Sequence, residues 1–152
     1  MPTKSTVEKA KRDLAEGKKP STAAGEFVRE EIEHVREGRH GARSPQQAIA
    51  IGLSQARRAG VPLPPPAPGR TSARTRRSAA QAYAAGQGRR KPRAPSRKRG
   101  RAIERALQRE TGQSVSHEAL AKQAKRAAAH RTAADRSQAA KQAATTRRRR
   151  PA

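Results

Sequence analysis

Only 17 of the 152 residues carry an apolar side chain larger than alanine: five Val, four Ile, five Leu, Met1, Phe27 and Tyr83. Another 32 residues are Ala. Leu, Ile, Val and Phe together are about 10% of the chain, below the roughly 20% under which a highly charged sequence is expected to be disordered. A single globular core spread over the whole length is excluded on that ground.

The charge says where the core residues can gather. The chain carries a net charge of +24 with a sequence pI near 11.9. Residues 1 to 37 hold 8 basic and 8 acidic groups, residues 38 to 103 hold 16 basic and no acidic groups, and residues 104 to 152 hold 12 basic and 4 acidic groups. All of the excess therefore lies after Gly38. The larger apolar residues follow the opposite trend, from Val7 to Val61, and only Leu63, Tyr83, Ile103, Leu107, Val115 and Leu120 follow the first proline run. The expectation is a mainly α protein: a small N-terminal helical module of two to three short helices over residues 1–61, then a largely disordered basic region with weak Ala-rich helices.

Local signals support helices in the module. Ser5-Thr-Val-Glu8 reads as a capping box opening a helix that runs to Glu16. A second helix is expected from Ser21 or Thr22 to Gly38, with Ala24, Phe27, Val28, Ile32 and Val35 on one face. A third begins at Ser44, with Pro45 at N1 and Gln47 at N3, and ends at Gly60; Ile49, Leu53 and Ala56 form its expected stripe. Val61 fits the apolar position after a C-terminal glycine. Ten apolar side chains worth roughly 1.5–3 kcal/mol each hold such a module only marginally, and self-association would supplement it.

Residues 62–70 form a proline-rich linker expected to act as a stiff polyproline II spacer. Residues 71–101 are a basic low-complexity segment, with a weak helix to Ala85 that has little to pack against and an extended stretch from Gly86 to Arg101. Residues 102–144 are an Ala/Lys/Arg-rich helical segment in which Val115 and Leu120 flank an N-cap at Ser116 as a hydrophobic staple. Residues 145–152 are an Arg-rich tail, expected to stay mobile.

Catalytic patterns are missing from the sequence. It contains no Cys, no nucleophile elbow, no phosphate loop and no dinucleotide fingerprint, and its His residues, 34, 40, 117 and 130, are scattered; the chain is not expected to be an enzyme. Glu31-Ile-Glu-His34 has the E-x-x-H form that supplies ligands in di-iron bundles, but such a site needs two pairs and two further carboxylates, and the pattern occurs once. Glu26, Glu30, Glu31, Glu33 and Glu37 read instead as a solvated acidic face partly paired with Arg29 and Arg36. No metal site and no cofactor are expected.

The basic region points to a polyanion, because its side chains can neutralise phosphates and release condensed counterions. Arg57, Arg58, Arg74, Arg76, Arg77, Arg89, Arg90, Lys91, Arg93, Arg97, Lys98, Arg99, Arg101 and Arg147, Arg148, Arg149 and Arg150 are the expected phosphate contacts. Arg99-Gly100-Arg101 matches the core of an AT-hook in part, although Ala102 stands where proline normally follows. A helix-turn-helix over residues 101–111 and 117–130 would need a longer turn than the tight motif has. Tyr83 is the only aromatic residue in the basic half, which favours duplex DNA over stacked single strands or RNA.

Ser21-Thr-Ala-Ala-Gly-Glu-Phe-Val-Arg-Glu-Glu-Ile-Glu-His-Val-Arg-Glu-Gly38 and Gly41-Ala-Arg-Ser-Pro-Gln-Gln-Ala-Ile-Ala-Ile-Gly-Leu-Ser-Gln-Ala-Arg-Arg-Ala-Gly60 resemble a family of small, basic, uncharacterised bacterial proteins over roughly residues 1 to 70. The tail is similar in composition to linker-histone tails. The resemblance implies a bacterial, cytoplasmic protein and supplies no catalytic or binding residues. Together these readings lead to an expected nucleoid-associated, architectural protein that binds DNA through charge with little sequence preference and has no membrane partner. The alternative is an adaptor whose residues 1–61 bind a protein partner while the basic tail only localises it.

Overall fold

The computed structural model describes residues 2–91, 96–110 and 112–148. Among these residues are seven α-helices, one 3₁₀ turn and no strands: α1 Lys4–Ala15, α2 Pro20–Arg36, α3 Pro45–Arg58, α4 Ala73–Gly86, α5 Arg97–Gln108, the 3₁₀ turn Gly112–Val115, α6 His117–Ala129 and α7 Ala133–Arg148. The chain falls into two compact units, residues 1–116 and 117–152. The mainly α expectation holds. The largely disordered basic region does not, because α4, α5, α6 and α7 occupy most of it.

In the first unit α2 and α3 are the central pair, with α1 packed on α2, α4 on α3, and the 3₁₀ turn against both central helices. What allows the central pair is a seam of small residues. The buried positions of α3 include Ala48, Gly52 and Ala56, spaced by four so that they lie on one face. A Cβ added at Gly52 would lie 2.7 Å from Val28 Cα and 2.9 Å from the Phe27 carbonyl oxygen. The stripe expected from side-chain size, Ile49 and Leu53 with Ala56, is therefore displaced: Ile49 and Leu53 are half-buried flanks, and the seam belongs to smaller neighbours. In a chain so poor in large apolar groups, close approach of backbones supplies contact area that bulky side chains would supply elsewhere.

Two apolar clusters result. Ala10, Ala23, Ala24, Phe27, Ala56 and Val61 form one, with Val7, Leu14, Leu53, Ala59 and Leu63 at its edge. Val35, Ala42, Ala48 and Val115 form the other, with Ile32 against it. Val115 is thus drawn into the fold of α2 and α3, and Arg36 Nε donates to its carbonyl at 3.2 Å. The expected spacer does not hold the following segment away either. Leu63 packs on the first cluster, and α4 returns to α3 with Ala79 and Ala82 buried.

Helix ends are mostly where glycine and capping residues put them. Ser44 Oγ accepts from the Gln47 amide at 3.3 Å, and Pro45 occupies the first turn of α3. At its other end Gly60 N donates to the Arg57 carbonyl at 3.2 Å and Val61 N to the Ala56 carbonyl at 3.1 Å, a Schellman closure that buries Val61. Two starts differ. Thr3, two residues before Ser5, caps α1 by accepting from the Thr6 amide at 3.2 Å, and α2 begins at Pro20, whose lack of an N–H costs nothing in a first turn. Thr132 and Asp135 form a reciprocal box that opens α7, with Asp135 N donating to Thr132 Oγ1 at 3.1 Å and Thr132 N to Asp135 Oδ2 at 3.3 Å. That box separates α7 from α6, so the expected helical segment is divided among α5, α6 and α7.

Two glycines on the two central helices test the seam. Gly25 has nothing within 4 Å of an added Cβ, so Gly25→Ala should stabilise the protein by roughly 0.4–1 kcal/mol. Gly52→Ala should destabilise it by about 1–3 kcal/mol, because a backbone has to move. Urea denaturation of both variants measures the difference.

Candidate functional site

Phosphate-binding side chains must be exposed, and most of the expected ones are. Arg58, Arg74, Arg77, Arg89, Arg90, Lys91, Arg97, Lys98, Arg99, Arg101, Arg147 and Arg148 are exposed, and Arg76 is half-buried. Arg93, Arg149 and Arg150 lie outside the described residues. Arg57 is the exception that must be withdrawn. Its guanidinium turns inward, donating through Nε to the Leu63 carbonyl at 3.1 Å, through Nη2 to the Pro64 carbonyl at 3.3 Å and through Nη1 to the Leu53 carbonyl at 3.5 Å. Burial lowers its pKa from the ordinary arginine value. The side chain ties the end of α3 to the proline run, and at 7% exposure it offers a phosphate little access.

Within α5, Arg97, Arg101 and Arg105 follow at spacings of four, and Lys98 lies beside them, so the four cations share one face. Ile103 and Leu107 fall on another side, where with Gly100, Glu104 and Gln108 they line a groove shared with Arg39 and His40. The helix is anchored by its carboxyl end: Gly41 N donates to the Leu107 carbonyl at 2.9 Å, and Arg43 Nε lies 3.3 Å from Glu110 Oε1. A side chain at 41 would collide with the backbone of Glu110. Arg99-Gly100-Arg101 is consequently helical. It does not have the extended form an AT-hook requires, and the stretch expected to be extended up to Arg101 becomes helix from Arg97. No residue of α6 is buried, and Lys122, Lys125 and Arg126 share one side of it. All residues of α7 whose side chains are described are exposed, and Arg147 and Arg148 are part of this helix.

The acidic face of α2 is a second departure. Glu33 and Glu37 are exposed as expected, but Glu30 and Glu31 are buried, Glu31 to 1% exposure. Glu30 Oε1 accepts from the Thr3 amide at 2.8 Å, which joins the start of α1 to α2. Glu31 Oε2 accepts from Gln55 Nε2 of α3 at 3.0 Å. Glu30 Oε2 and Glu31 Oε1 have no hydrogen-bond partner among the described residues.

His40 reaches this pair because of Gly38. That glycine takes φ 72°, a left-handed conformation open to it at little steric cost, and Arg39 N then donates back to the His34 carbonyl at 3.0 Å. The chain reverses over the last turn of α2 and sets His40 Nε2 at 3.5 Å from Glu31 Oε1. The His34 and His40 rings stand edge to face with centroids 6.3 Å apart, and one ligand atom each from Glu31, His34 and His40 lie within 4.8 Å of one another. Helical spacing pairs Glu31 with His34 in the sequence. It gives no sign of His40, which arrives through the reversal. No described helix is long and apolar enough to cross a membrane.

Comparison with known proteins gives no match among family models, curated proteins or solved structures.

The two adjacent arginines at the end of α3 should behave oppositely. Arg57→Met leaves buried carbonyls without donors and should cost about 1.5–3 kcal/mol in chemical denaturation. Arg58→Met should change stability by less than about 0.5 kcal/mol.

Proposed function

We propose that the protein binds duplex DNA through backbone charge with little sequence preference, in the manner of a nucleoid-associated architectural protein. The observation that carries this reading is the exposed cationic face of α5, Arg97, Lys98, Arg101 and Arg105, in a chain whose whole excess of +24 lies after Gly38. Positive side chains repeated along a helix can each neutralise one phosphate, and counterions released from the duplex supply the favourable free energy. The exposed arginines and lysines of α4, α6 and α7 extend the same chemistry along the chain. None of it reads base edges, since phosphate contacts carry no sequence information directly. Cytoplasmic residence at the nucleoid follows from this function.

Preformed helices alter how such binding would proceed. A helix already ordered before binding spares the roughly 1–2 kcal/mol per residue that ordering the backbone would cost. Titration with DNA should therefore add little helix in circular dichroism.

Binding of unrelated duplexes by the full chain, followed by fluorescence anisotropy, tests the proposal. If about 6–10 phosphates are neutralised, affinity should fall about 10³- to 10⁵-fold between 50 and 200 mM salt, with similar slopes for every sequence. Replacing Arg97, Lys98, Arg101 and Arg105 together by Gln should reduce the magnitude of the log–log salt slope by about 3–4, near 0.9 for each contact removed. A shallow slope in the parent protein, or strong preference for one sequence, rejects the reading.

A further inference from the structure

We propose that Glu31, His34 and His40 form a binding site for one divalent transition-metal ion of the zinc class. The pattern is Glu31-x2-His34-x5-His40, interrupted by the glycine reversal at Gly38 that brings its last member back over α2. This site needs no second E-x-x-H pair, because the third ligand comes from a loop.

Three features of the side chains point to a cation. First, Glu31 is 1% exposed and its Oε1 has no hydrogen-bond donor among the described residues, while Gln55 holds the other oxygen. Second, His40 Nδ1 lies 3.2 Å from the Gly41 carbonyl, a contact that requires Nδ1 to carry the hydrogen. In the neutral ring with that tautomer Nε2 presents a lone pair to Glu31 Oε1 at 3.5 Å, and in the imidazolium the same contact is an ion pair, so in either form the geometry calls for a cation, proton or metal, between the two atoms. A metal ion between them satisfies both, and a ligating imidazole commonly donates its other nitrogen to a carbonyl in this way. Third, the spacing is suitable. Ligand atoms about 2.0–2.1 Å from a tetrahedral zinc ion stand about 3.3–3.4 Å apart, so the Glu31–His40 pair is near that value and the cluster, within 4.8 Å overall, needs only a modest closure.

The donor set selects the class of ion. Two imidazoles and one carboxylate suit zinc and its first-row neighbours, whereas calcium and magnesium call for six or more ligands, mostly oxygens. Three protein ligands leave a coordination position for water or another small donor. Access comes from both sides: His34 lines a groove with Thr3, Thr6 and Glu30, and His40 lines the groove beneath α5 with Ile103 and Leu107.

Titration of untagged full-length protein with zinc against a chromophoric chelator tests the site, in the absence of DNA so that the outcome is independent of nucleic-acid binding. One equivalent should bind, and cobalt(II) should give the intense visible absorption of a four- or five-coordinate site. Nitrogen-15 chemical shifts of the histidine rings, recorded on the unaltered protein, should move for His34 and His40 and stay in place for His117 and His130. Glu31→Gln and His40→Gln should each weaken zinc binding at least tenfold with helix content retained, and the combined His117→Gln and His130→Gln variant should bind as the parent does. If zinc moves no histidine shift, or moves only those of His117 and His130, the cluster is a proton-linked pair rather than a metal site and the proposal is overturned.

Discussion

The close approach of α2 and α3 is the contact on which the first unit depends. Ala48, Gly52 and Ala56 turn their small faces to α2, and the backbone at Val28 occupies space that any side chain at 52 would need. Dispersion between closely packed main chains falls steeply with separation, so the absence of a Cβ there is worth more than an added methyl elsewhere. Phe27 is the one large aromatic group in the core, and it is buried beside Ala24 and Ala56. Around this pair α1, α4 and the 3₁₀ turn each contribute only a few apolar groups: Val7, Ala10 and Leu14 from α1, Ala79 and Ala82 from α4, and Val115 from the turn.

A core so short of apolar volume also takes in charged groups, and each is held by partners from another part of the chain. Glu30 receives the Thr3 amide, Glu31 receives Gln55, and Arg57 donates to the Leu63 and Pro64 carbonyls of the proline run as well as to Leu53 of its own helix. Removing one partner of such a group strands a buried charge, which is far costlier than losing an exposed ion pair such as Lys122 with Glu118. Each of these contacts joins two segments through particular atoms, which alanine faces by themselves do not do. They also separate two kinds of chemistry within one unit. Carboxylates and imidazoles meet at the end of α2, while the arginines of α5 face outward.

Much of the helix pattern was legible in the sequence. Gly38 and Gly60 end helices because the left-handed turn after a helix favours glycine, and Ser44-Pro45 starts one through a local hydroxyl and a ring that fixes φ. These are short-range effects, complete within five or six residues. Charge segregation was equally plain, since it requires only counting. The box at Thr132 and Asp135 was also local, but the uniform Ala/Lys/Arg composition around it concealed the break between α6 and α7.

Tertiary structure decided which of two adjacent helical faces is buried and what meets across a reversal. Size favoured Ile49 and Leu53 on α3, yet Ala48 and Gly52 form the seam, because the quantity optimised is contact between whole helices rather than burial of each large side chain. Composition placed Arg57 among the phosphate ligands and Glu31 on a solvated face. Carbonyls of Leu53, Leu63 and Pro64 drew the first inward, and Gln55 of the neighbouring helix fixed the second. The sequence by itself determined that the chain is mainly helical, the start of α3 at Ser44, the helix-ending turns at Gly38 and Gly60 and the positive half of the chain, since these follow from local bonds and summed charge. The small-residue seam, the inward arginine and the union of His40 with Glu31 and His34 required the folded chain, because each joins groups whose encounter no local spacing encodes.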